Sequence, residues 1–396
     1  MKILFEGFSK LYMRKRYQRL QEAGFLMPAD ISYLSSGGLQ DLELADHFIE
    51  NAIGYMQIPL GVASNFRIDG VDRIIPMAVE ETSIIAAASK TARWVREEGT
   101  LTTGIEGKCI IGQIQLAVVS NFEKFSKVIS QEKMGLIELA NRDVAHGLVA
   151  RGGGVQDLTI RSVARPDGKT MGIIHVYLDP VDAMGANIMN QVCEYLRGPI
   201  QKISGETVNM CILSNLVDSR VTWAEVRLPR IDSDLGNRIA EASLFAELDP
   251  YRAATNNKGV LNGVDPILVA TGNDWRAVEA GVHAYAARSG QYRSITRWTY
   301  TKELGLVGRF EAPLIAGTVG GVTKLHPTAK VSLQILGIES ASELSRIMAA
   351  VGLVQNLGAL KALTTVGIIE GHMRLHIRNL TLGAGALEKE SPILQR

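Results

Sequence analysis

The sequence predicts an α+β fold in which a small α/β domain is inserted into a larger, mainly helical domain. Between residues 109 and 216, four apolar strand segments alternate with two helical segments in the order β-α-β-β-α-β, which is the ferredoxin-like arrangement. Residues 11–55 and the chain beyond residue 220 instead have apolar residues mostly at helical spacing. The predicted units are a large domain of residues 1–108 and 217–370, a small domain of residues 109–216, and a C-terminal flap of residues 371–396.

The strands of the small domain are short apolar segments bounded by turn residues. The second and third form a hairpin about the turn Pro166-Asp167-Gly168-Lys169. We expect the strands at CIIGQIQLAVV, LTIRSVAR, GIIHVYLD and VNMCILSNL, and the helices at 132–148 and 183–197. The second helix should end before Gly198-Pro199, because proline lacks a backbone donor and clashes with the preceding turn.

The large domain begins with helices and strand material. Residues 62–75 are typical of strand structure with a turn at Asp69-Gly70. Residues 80–98 have helical spacing and many small residues, and Gly99 ends this helix. Beyond residue 220 we expect helices at 233–247, 274–288, 327–337 and 340–356.

The composition excludes several classes of partner. The 42 Lys and Arg residues nearly balance the 41 Asp and Glu residues, so a net charge of +1 gives no bulk attraction to nucleic acid or to an anionic membrane. Three cysteines, Cys109, Cys193 and Cys211, have no CxxC spacing, which argues against a disulfide framework and indicates a reducing, cytoplasmic location. We expect no secretory signal and no membrane span, because no apolar run is long enough.

A phosphate-binding helix start is indicated at residues 182–190, DAMGANIMN. Asp182 is a good N-cap, and Gly185 and Ala186 leave the first turn open to a ligand whose phosphates would meet free N–H groups. The same residues also suit a plain helix start that packs closely. Because the chain has neither GxGxxG nor GxxxxGKS/T, a Rossmann or P-loop nucleotide site is not expected.

Three charged residues are candidates for chemistry. Lys258 is predicted in a polar, glycine-containing loop, and Asp274 at a helix start after the apolar stretch ILVA. If the two meet around that short strand, the lysine would stay charged and could stabilise an oxyanion. Otherwise Asn273 or Asp274 is a helix cap and Lys258 is solvated. Glu81 precedes an apolar helix, where it compensates the helix dipole or, if buried, serves as a general acid.

Two histidines near the C-terminus, His372 and His376, are four residues apart and share a helix face. That spacing could ligate zinc, but HExxH is absent and no third ligand is indicated, so we expect no metal. A single histidine could act as an acid near neutral pH, although packing is the simpler interpretation.

These segments occur in a characteristic order along the chain. They are ENAIGYMQIPLGVA, PMAVEETSIIAAAS, CIIGQIQL, DAMGANIMN, ILSNL, DPYRAATNNKGVLNGVDPILVATGNDWRAVEAG, GTVGGVTKLHP and EGHMRLHIRNL. In this order, from about residue 6 to residue 380, they closely resemble the soluble bacterial and archaeal, or class II, 3-hydroxy-3-methylglutaryl-CoA (HMG-CoA) reductases. The resemblance implies reduction of HMG-CoA to mevalonate and CoA through mevaldehyde, with two hydrides from a nicotinamide cofactor.

The resemblance also implies a role for each candidate residue. Lys258, in NNKG, would stabilise the carbonyl oxygen as hydride arrives, and Asp274, in ATGND, would hold the lysine. Glu81, in EETS, would exchange a proton with the substrate oxygen, and His372, in GHM, would protonate the departing CoA thiolate. The implied substrate contacts are Ser83, Arg252 and Asn262, and the implied cofactor contacts are Asp182, Met184, Gly185, Asn187 and Asn215.

The choice between NADH and NADPH stays open at this point. Members of the family that use NADH place an acidic residue upstream of a glycine run, where it accepts hydrogen bonds from the ribose 2′-OH. In this chain the segment is ANRDVAHGLVARGGG, so Asp143 is a candidate for that role although it is one or two residues out of register. Arg151 directly precedes the glycines and could instead meet a 2′-phosphate.

The resemblance further implies a homodimer with the active site at the subunit interface, and a larger assembly of such dimers is compatible with it. A mobile C-terminal segment would close over HMG-CoA and exclude water. Two departures affect these expectations. EETS replaces the EEPS of the family, so Glu81 should be held less rigidly, and only 24 residues follow His372, so we expect a shorter flap with residues 380–396 partly disordered without ligands.

Three alternatives remain. The same reaction could run in the oxidative direction for mevalonate breakdown. The chain could instead be a homologue that binds acyl-CoA without catalysing a reaction. A metal enzyme could be built on His372 and His376.

Overall fold

The computed structural model describes residues 5–365 and residue 367. The chain begins with short helices as predicted, and Leu20 and Leu26 pack them against Ile74 of the following hairpin. The elements are a 3-10 turn (Phe8–Lys10), α1 (Met13–Glu22), α2 (Pro28–Ser35), α3 (Leu42–Phe48), β1 (Leu60–Ile68), β2 (Val71–Ala78) and α4 (Ile84–Glu98). The antiparallel hairpin of β1 and β2 turns at Asp69-Gly70, as expected.

An antiparallel sheet with its own core lies within residues 110–214. Its elements are β4 (Ile110–Leu116), α5 (Phe122–Asp143), α6 (His146–Val149), β5 (Gly154–Ala164), β6 (Thr170–Asp179), α7 (Ala186–Ser204) and β7 (Met210–Ser214). The strand order is β5-β6-β4-β7, which is the ferredoxin-like order that the β-α-β-β-α-β pattern predicts. Ile114, Ile174 and Leu196 are fully buried where α5 and α7 pack on one face of this sheet.

A second four-stranded sheet lies outside that segment. It is formed by β3 (Thr100–Glu106), β8 (Val221–Leu228), β9 (Thr296–Thr301) and β10 (Gly305–Ala312), in the antiparallel order β3-β8-β10-β9. We did not predict this sheet, since the chain after residue 220 was expected to be helical. The period-two burial of VTWAEVRL, in which alternate residues are buried, is the signal for β8.

The remaining helices are α8 (Ser233–Leu248), α9 (Pro250–Ala270), α10 (Trp275–Ala286), α11 (Gly321–Leu325), α12 (Pro327–Leu336) and α13 (Ala341–Leu363). Of these, α8, α10 and α13 contact this second sheet, whereas α9 and α12 contact β2 of the hairpin. Helix α13 is buried along most of its length and contacts both β8 and α9. No helix in the described part of the chain is long and apolar enough to cross a membrane.

Two predicted helices of the inserted segment have wrong bounds. The helix expected at 132–148 begins ten residues earlier, because Asn121 caps Phe122 and its amide oxygen accepts from Lys124 N. The helix expected at 183–197 continues through Pro199 to Ser204. Burial of Leu196 and Ile200 against the sheet outweighs the one hydrogen bond that proline removes.

The predicted loop around Lys258 is also wrong, because residues 250–270 form the continuous helix α9. Asp249 caps the helix by accepting from Arg252 N, and Pro250 occupies the first turn. The position of the helix depends on burial of Val260, Val264 and other apolar residues, which its polar composition conceals. The predicted domain boundaries are compatible with two separate apolar cores and stay a prediction.

Buried amides connect α9 to its neighbours. The Asn356 side-chain nitrogen, on α13, donates to Asn256 Oδ1 at 2.8 Å, and Trp298 Nε1 donates to Asn356 Oδ1 at 2.8 Å. Asn256 Nδ2 in turn donates to Ser294 Oγ at 2.7 Å. Because Asn256, Asn356 and Trp298 are at most 3% exposed, each partner would be left unpaired in the core if one amide were removed.

We expect Asn356→Ala to lower the free energy of unfolding by about 2–4 kcal/mol, because it leaves Trp298 Nε1 and Asn256 Oδ1 without partners. Urea denaturation followed by circular dichroism measures the change. Asn237→Ala is the control, since that exposed amide bonds only to Ser233 O, and it should alter stability by less than about 0.5 kcal/mol. Equal losses in both variants would contradict the role given to the buried network.

Candidate active site

Glu81, in the turn between β2 and α4, lies opposite Lys258 on α9. Lys258 Nζ lies 3.6 Å from Glu81 Oε2. Both side chains are accessible, with 65% of Lys258 and 44% of Glu81 exposed. An ion pair this exposed adds little stability, and both charged groups remain accessible to a ligand.

The rotation of α9 directs Lys258 toward Glu81. Asn257, its neighbour, is fully buried: Nδ2 donates to Arg293 O at 2.9 Å, and Oδ1 accepts from Ile295 N at 3.0 Å. With Asn256 and Asn257 bound in the interior, the next residue must point outward. The two asparagines of NNKG therefore position the lysine.

The implied substrate contacts lie near this pair. Ser83 is two residues after Glu81, at the N-cap of α4, with a left-handed backbone (φ 78°). Asn262 is one turn beyond Lys258 on the same face of α9. Pro266, inside the helix, lacks the N–H that would bond to the carbonyl of Asn262.

Arg252 is a half-buried cation in the first turn of α9. Burial lowers the pKa of its guanidinium. Across the described part of the chain, no carboxylate lies within ion-pair distance of it. A partly desolvated guanidinium that lacks a counter-ion is suited to bind an anionic group such as a carboxylate.

A cleft of about 490 Å³, open to solvent, lies between β7 and the start of α10. It is lined by Met184, Ala186, Ile212, Leu213, Asn215, Asp274, Arg276 and Ala277. The cleft brings together Met184 and Asn215, which were predicted for the cofactor, with Asp274, which was predicted for catalysis. It adjoins a small, mainly apolar pocket that is lined by Ile110 and Ile111.

Two glycines allow the close packing that forms this cleft. Gly185 precedes α7 with φ 91°, and a Cβ there would lie 2.5 Å from Ile110 Cδ1. On α10, a Cβ at Gly281 would lie 2.5 Å from Asn215 O. Glycine thus brings the α7 start against β4 and brings Asn215 against α10. Asn187 is exposed in the first turn of α7, beside the cleft.

Asp274 lies far from Lys258 within one chain. Its Oδ1 accepts from Arg276 N at 3.1 Å and Ala277 N at 3.2 Å, which caps α10, and it pairs with Arg276 Nε at 3.2 Å. Twelve residue steps separate Lys258 from Ala270 along α9, an axial distance of about 18 Å. The structure therefore joins Glu81 to Lys258 and does not join Asp274 to them in a single chain.

The family model described as hydroxymethylglutaryl-coenzyme A reductase matches residues 12–377. The chain belongs to the HMG-CoA reductase family. It is 44% identical over 390 residues to 3-hydroxy-3-methylglutaryl-coenzyme A reductase of Archaeoglobus fulgidus, which covers 97% of this chain and 88% of that protein. The fold class predicted from the sequence is confirmed by solved structures of this family.

Two of these solved structures come from Streptococcus pneumoniae. A class II 3-hydroxy-3-methylglutaryl-CoA reductase bound to NADPH in open conformations superposes with a TM-score of 0.87 at 35% identity, covering 91% of this chain and all of that one. A second structure of the S. pneumoniae reductase has a TM-score of 0.88 at 36% identity, with 99% and 95% covered.

One carboxylate oxygen of Asp182 accepts a hydrogen bond from the backbone of the same chain. Oδ1 accepts from Ala341 N at 3.0 Å at the start of α13, and the backbone carbonyl accepts from Thr318 N at 2.9 Å. Asp182 therefore connects the loop before α7 to the start of α13 and to the segment at Thr318. Its contribution to a cofactor site would be to position Met184 and Gly185.

Asn273, which precedes Asp274 in ATGND, was considered from the sequence only as a possible helix cap. Its Nδ2 donates to Gly317 O at 3.1 Å, and its Oδ1 accepts from Gly317 N at 2.8 Å. Gly317 lies directly against Met184, since a Cβ there would be 2.6 Å from Met184 N. Asn273 thus connects the turn before α10 to the DAMG loop. An amide three residues after the end of α9 was the available signal.

Asp143, the candidate for the ribose hydroxyl, is engaged by neighbouring side chains. Arg142 Nε and Nη2 donate to its two oxygens at 2.7 and 2.9 Å, and the Tyr195 hydroxyl donates to Oδ2. These hydrogen bonds, that from Arg142 first, lower the pKa of Asp143 to about 2. Both oxygens are occupied, while Arg151 is exposed at the start of the glycine run.

The predicted C-terminal flap, with His372, His376 and the tail 380–396, lies outside the described residues. The proposed roles of the two histidines and the expected disorder of the tail stay predictions. Among the residues that are described, no group of three or more His, Cys, Asp or Glu side chains could hold a metal ion.

We expect Gly281→Ala to raise the KM for the reduced cofactor about tenfold, because the added methyl group pushes α10 away from Asn215. Steady-state kinetics at saturating HMG-CoA measures the change. Gly198→Ala is the matched control, since a Cβ there meets nothing within 4 Å, and it should leave both KM values unaltered. A rise in the KM for HMG-CoA alone would contradict a cofactor role for this cleft.

Proposed function

We infer that this family member is an NAD(P)H-dependent HMG-CoA reductase, which reduces HMG-CoA to mevalonate and CoA in two hydride transfers with mevaldehyde between them. The observation that carries the inference is the exposed pair of Glu81 and Lys258, 3.6 Å apart, in a chain that belongs to this family. The pair offers a cation and a proton-exchanging carboxyl group to one substrate oxygen.

Lys258 is the proposed electrostatic catalyst. Hydride addition to the thioester carbonyl, and later to the aldehyde, places negative charge on oxygen, which a fixed ammonium stabilises. Glu81 would supply or accept the proton of that oxygen, because a substrate oxygen between the two groups lies within hydrogen-bond reach of both. Exclusion of water by bound HMG-CoA would strengthen both interactions.

The substrate's terminal carboxylate is assigned to Arg252, with Ser83 and Asn262 as further hydrogen-bond partners. Arg252 supports this assignment because it is half-buried and no described carboxylate pairs with it. Ser83 and Asn262 flank the Glu81–Lys258 pair from α4 and α9, respectively. His372 is proposed to protonate the CoA thiolate as it leaves.

The cleft around Met184 and Asn215 is the proposed cofactor site, and the cofactor when bound supplies the hydride. The open α7 start after Gly185 offers free N–H groups to a phosphate. Asp143 has both oxygens occupied, and Arg151 is exposed nearby. Together with the NADPH bound to the S. pneumoniae enzyme, this favours NADPH over NADH.

A homodimer is proposed, with the active site at its interface. Since Lys258 lies twelve residues before the end of α9 and Asp274 lies beyond that end, Asp274 is proposed to meet the lysine from a second copy of the chain. Exposed apolar side chains at the α8–α9 junction, Phe245, Leu248 and Tyr251, favour contact with another copy. A cytoplasmic location is proposed on the free thiols of Cys109, Cys193 and Cys211.

We expect Lys258→Ala to lower kcat at least about a thousandfold, because the oxyanion loses its cation, while HMG-CoA still binds. Oxidation of NADH and of NADPH, followed side by side by absorbance, measures turnover, and calorimetry measures binding. Lys330→Ala, at an exposed lysine on α12, is the control. If neither cofactor is oxidised by the unmodified protein although HMG-CoA binds, the chain is an acyl-CoA-binding homologue without reductase activity.

Mixing two inactive variants tests the shared site. Lys258→Ala and Asp274→Ala homodimers should each be inactive, whereas random mixed dimers should recover about a quarter of full activity, because half are heterodimers with one intact site. Activity is measured after joint refolding or co-expression, with each variant alone as control. No recovery, with heterodimers demonstrated by mass, would contradict an active site that uses both subunits.

A further inference from the structure

Asp265 is a half-buried carboxylate on α9 that the mechanism above does not use. It lies between the buried residues Val264 and Pro266, and its Oδ1 is enclosed by protein. That oxygen receives no hydrogen bond from any residue of the described chain. A carboxylate in such surroundings is costly while it is charged, so it is expected either to bind a proton or to serve a specific partner.

The partner is Glu279 on α10. Helix α10 contacts α9, and the Glu279 carboxyl group lies within side-chain hydrogen-bonding reach of Asp265. Two carboxyl groups can bond only when one of them is protonated. Burial and the negative charge of Glu279 raise the pKa of Asp265 to about 8, so the pair holds a proton at neutral pH.

The pair is placed on the face of α9 that presents Lys258. Asp265 is seven residues beyond Lys258, which is two turns and about 10 Å along the same face. The charged groups that act on Asp265 in the described chain are Glu279, which opposes its ionisation, and Lys258, which favours it. While one proton is held, the pair has a single negative charge opposite a single lysine.

We propose that Asp265 and Glu279 form a proton-sharing carboxyl pair that joins α9 to α10 and so positions Lys258 for reduction. The effect on reduction rests on the proposed function. Loss of the shared proton would leave two negative charges between the helices, and their repulsion would move α9, with Lys258, away from α10. Asp265 and Glu279 are thus positioning residues, which do not touch HMG-CoA.

The test compares Asp265→Asn and Glu279→Gln with the unmodified protein. An amide donates to the remaining carboxylate at every pH, so the pair no longer depends on a proton. The unmodified protein should lose kcat/KM above about pH 8, about tenfold per pH unit, whereas both variants should lack this decline. Glu241→Gln, at an exposed position on α8, is the charge-matched control and should keep this decline.

Thermal unfolding provides an arm that needs no substrate. Because the folded pKa of Asp265 is above its ordinary value, its stabilising contribution is complete below about pH 4 and is lost as the pH rises through about 8. The midpoint temperature should therefore fall over this range in the unmodified protein and in Glu241→Gln. It should fall less in Asp265→Asn and Glu279→Gln, because one titrating carboxyl group of the pair is gone.

The two arms separate the two proposals. Unchanged pH dependence of stability in both pair variants would overturn the carboxyl pair, whatever the activity. A lost pH dependence of stability with an unchanged decline in kcat/KM would overturn the link to Lys258. If the protein oxidises neither cofactor, the proposed function fails, while the stability arm still decides whether the pair shares a proton.

Discussion

Amide hydrogen bonds inside the core hold helix α9 at one rotation, and the proposed site depends on that rotation. Asn256 is hydrogen-bonded to Asn356 of α13, and Asn257 is hydrogen-bonded to the backbone just before β9. The outward face of the helix therefore presents Lys258 and Asn262. A rotation by a single residue, about 100°, would bury the lysine and expose an asparagine. Polar residues within the core thus determine which chemistry reaches the surface.

A second set of contacts connects the inserted segment to the rest of the chain. The Asn273 side chain bonds to both backbone groups of Gly317, and Gly317 lies against Met184. Asp182 accepts a hydrogen bond from the start of α13. The turn that leads into α10 is therefore tied to the loop that leads into α7. A displacement of the inserted segment would therefore move Met184 and Asp274 together. The proposed cofactor site and the cap of α10 are expected to keep a fixed relative position.

Local patterns in the sequence predicted the ferredoxin-like segment well, because hairpin turns and alternating apolar residues are determined within a few positions. The second four-stranded sheet was missed. Its strands β3 and β8 come from distant segments of the chain, and its one local hairpin, β9 with β10, lies between helices. For Lys258, composition indicated a loop where tertiary burial of Val260 and Val264 stabilises a helix. Spacing alone could not place Asp274, because its distance from Lys258 depends on how α10 folds back.

The identity of the site residues came from the order of motifs rather than from any one of them. Glu81 and Lys258 are 177 positions apart in the sequence and 3.6 Å apart in the fold, a contact that periodicity cannot indicate. Conversely, Asp143 matched a motif by position, yet Arg142 and Tyr195 occupy its oxygens. Resemblance predicts which residues to inspect, and only contacts show which of their atoms are available.

Pro266 has a consequence for how α9 tolerates change. Since it lacks the N–H that Asn262 O would accept, the helix presents a backbone acceptor beside the side-chain amide of the same residue. Substitution at position 262 removes the amide and leaves this carbonyl in place. The residue at position 266 determines whether this acceptor is available. Replacement of proline by alanine there would supply an N–H that bonds to the carbonyl of Asn262, and the carbonyl would no longer be free. A survey of side chains that contact the ligand would overlook that residue.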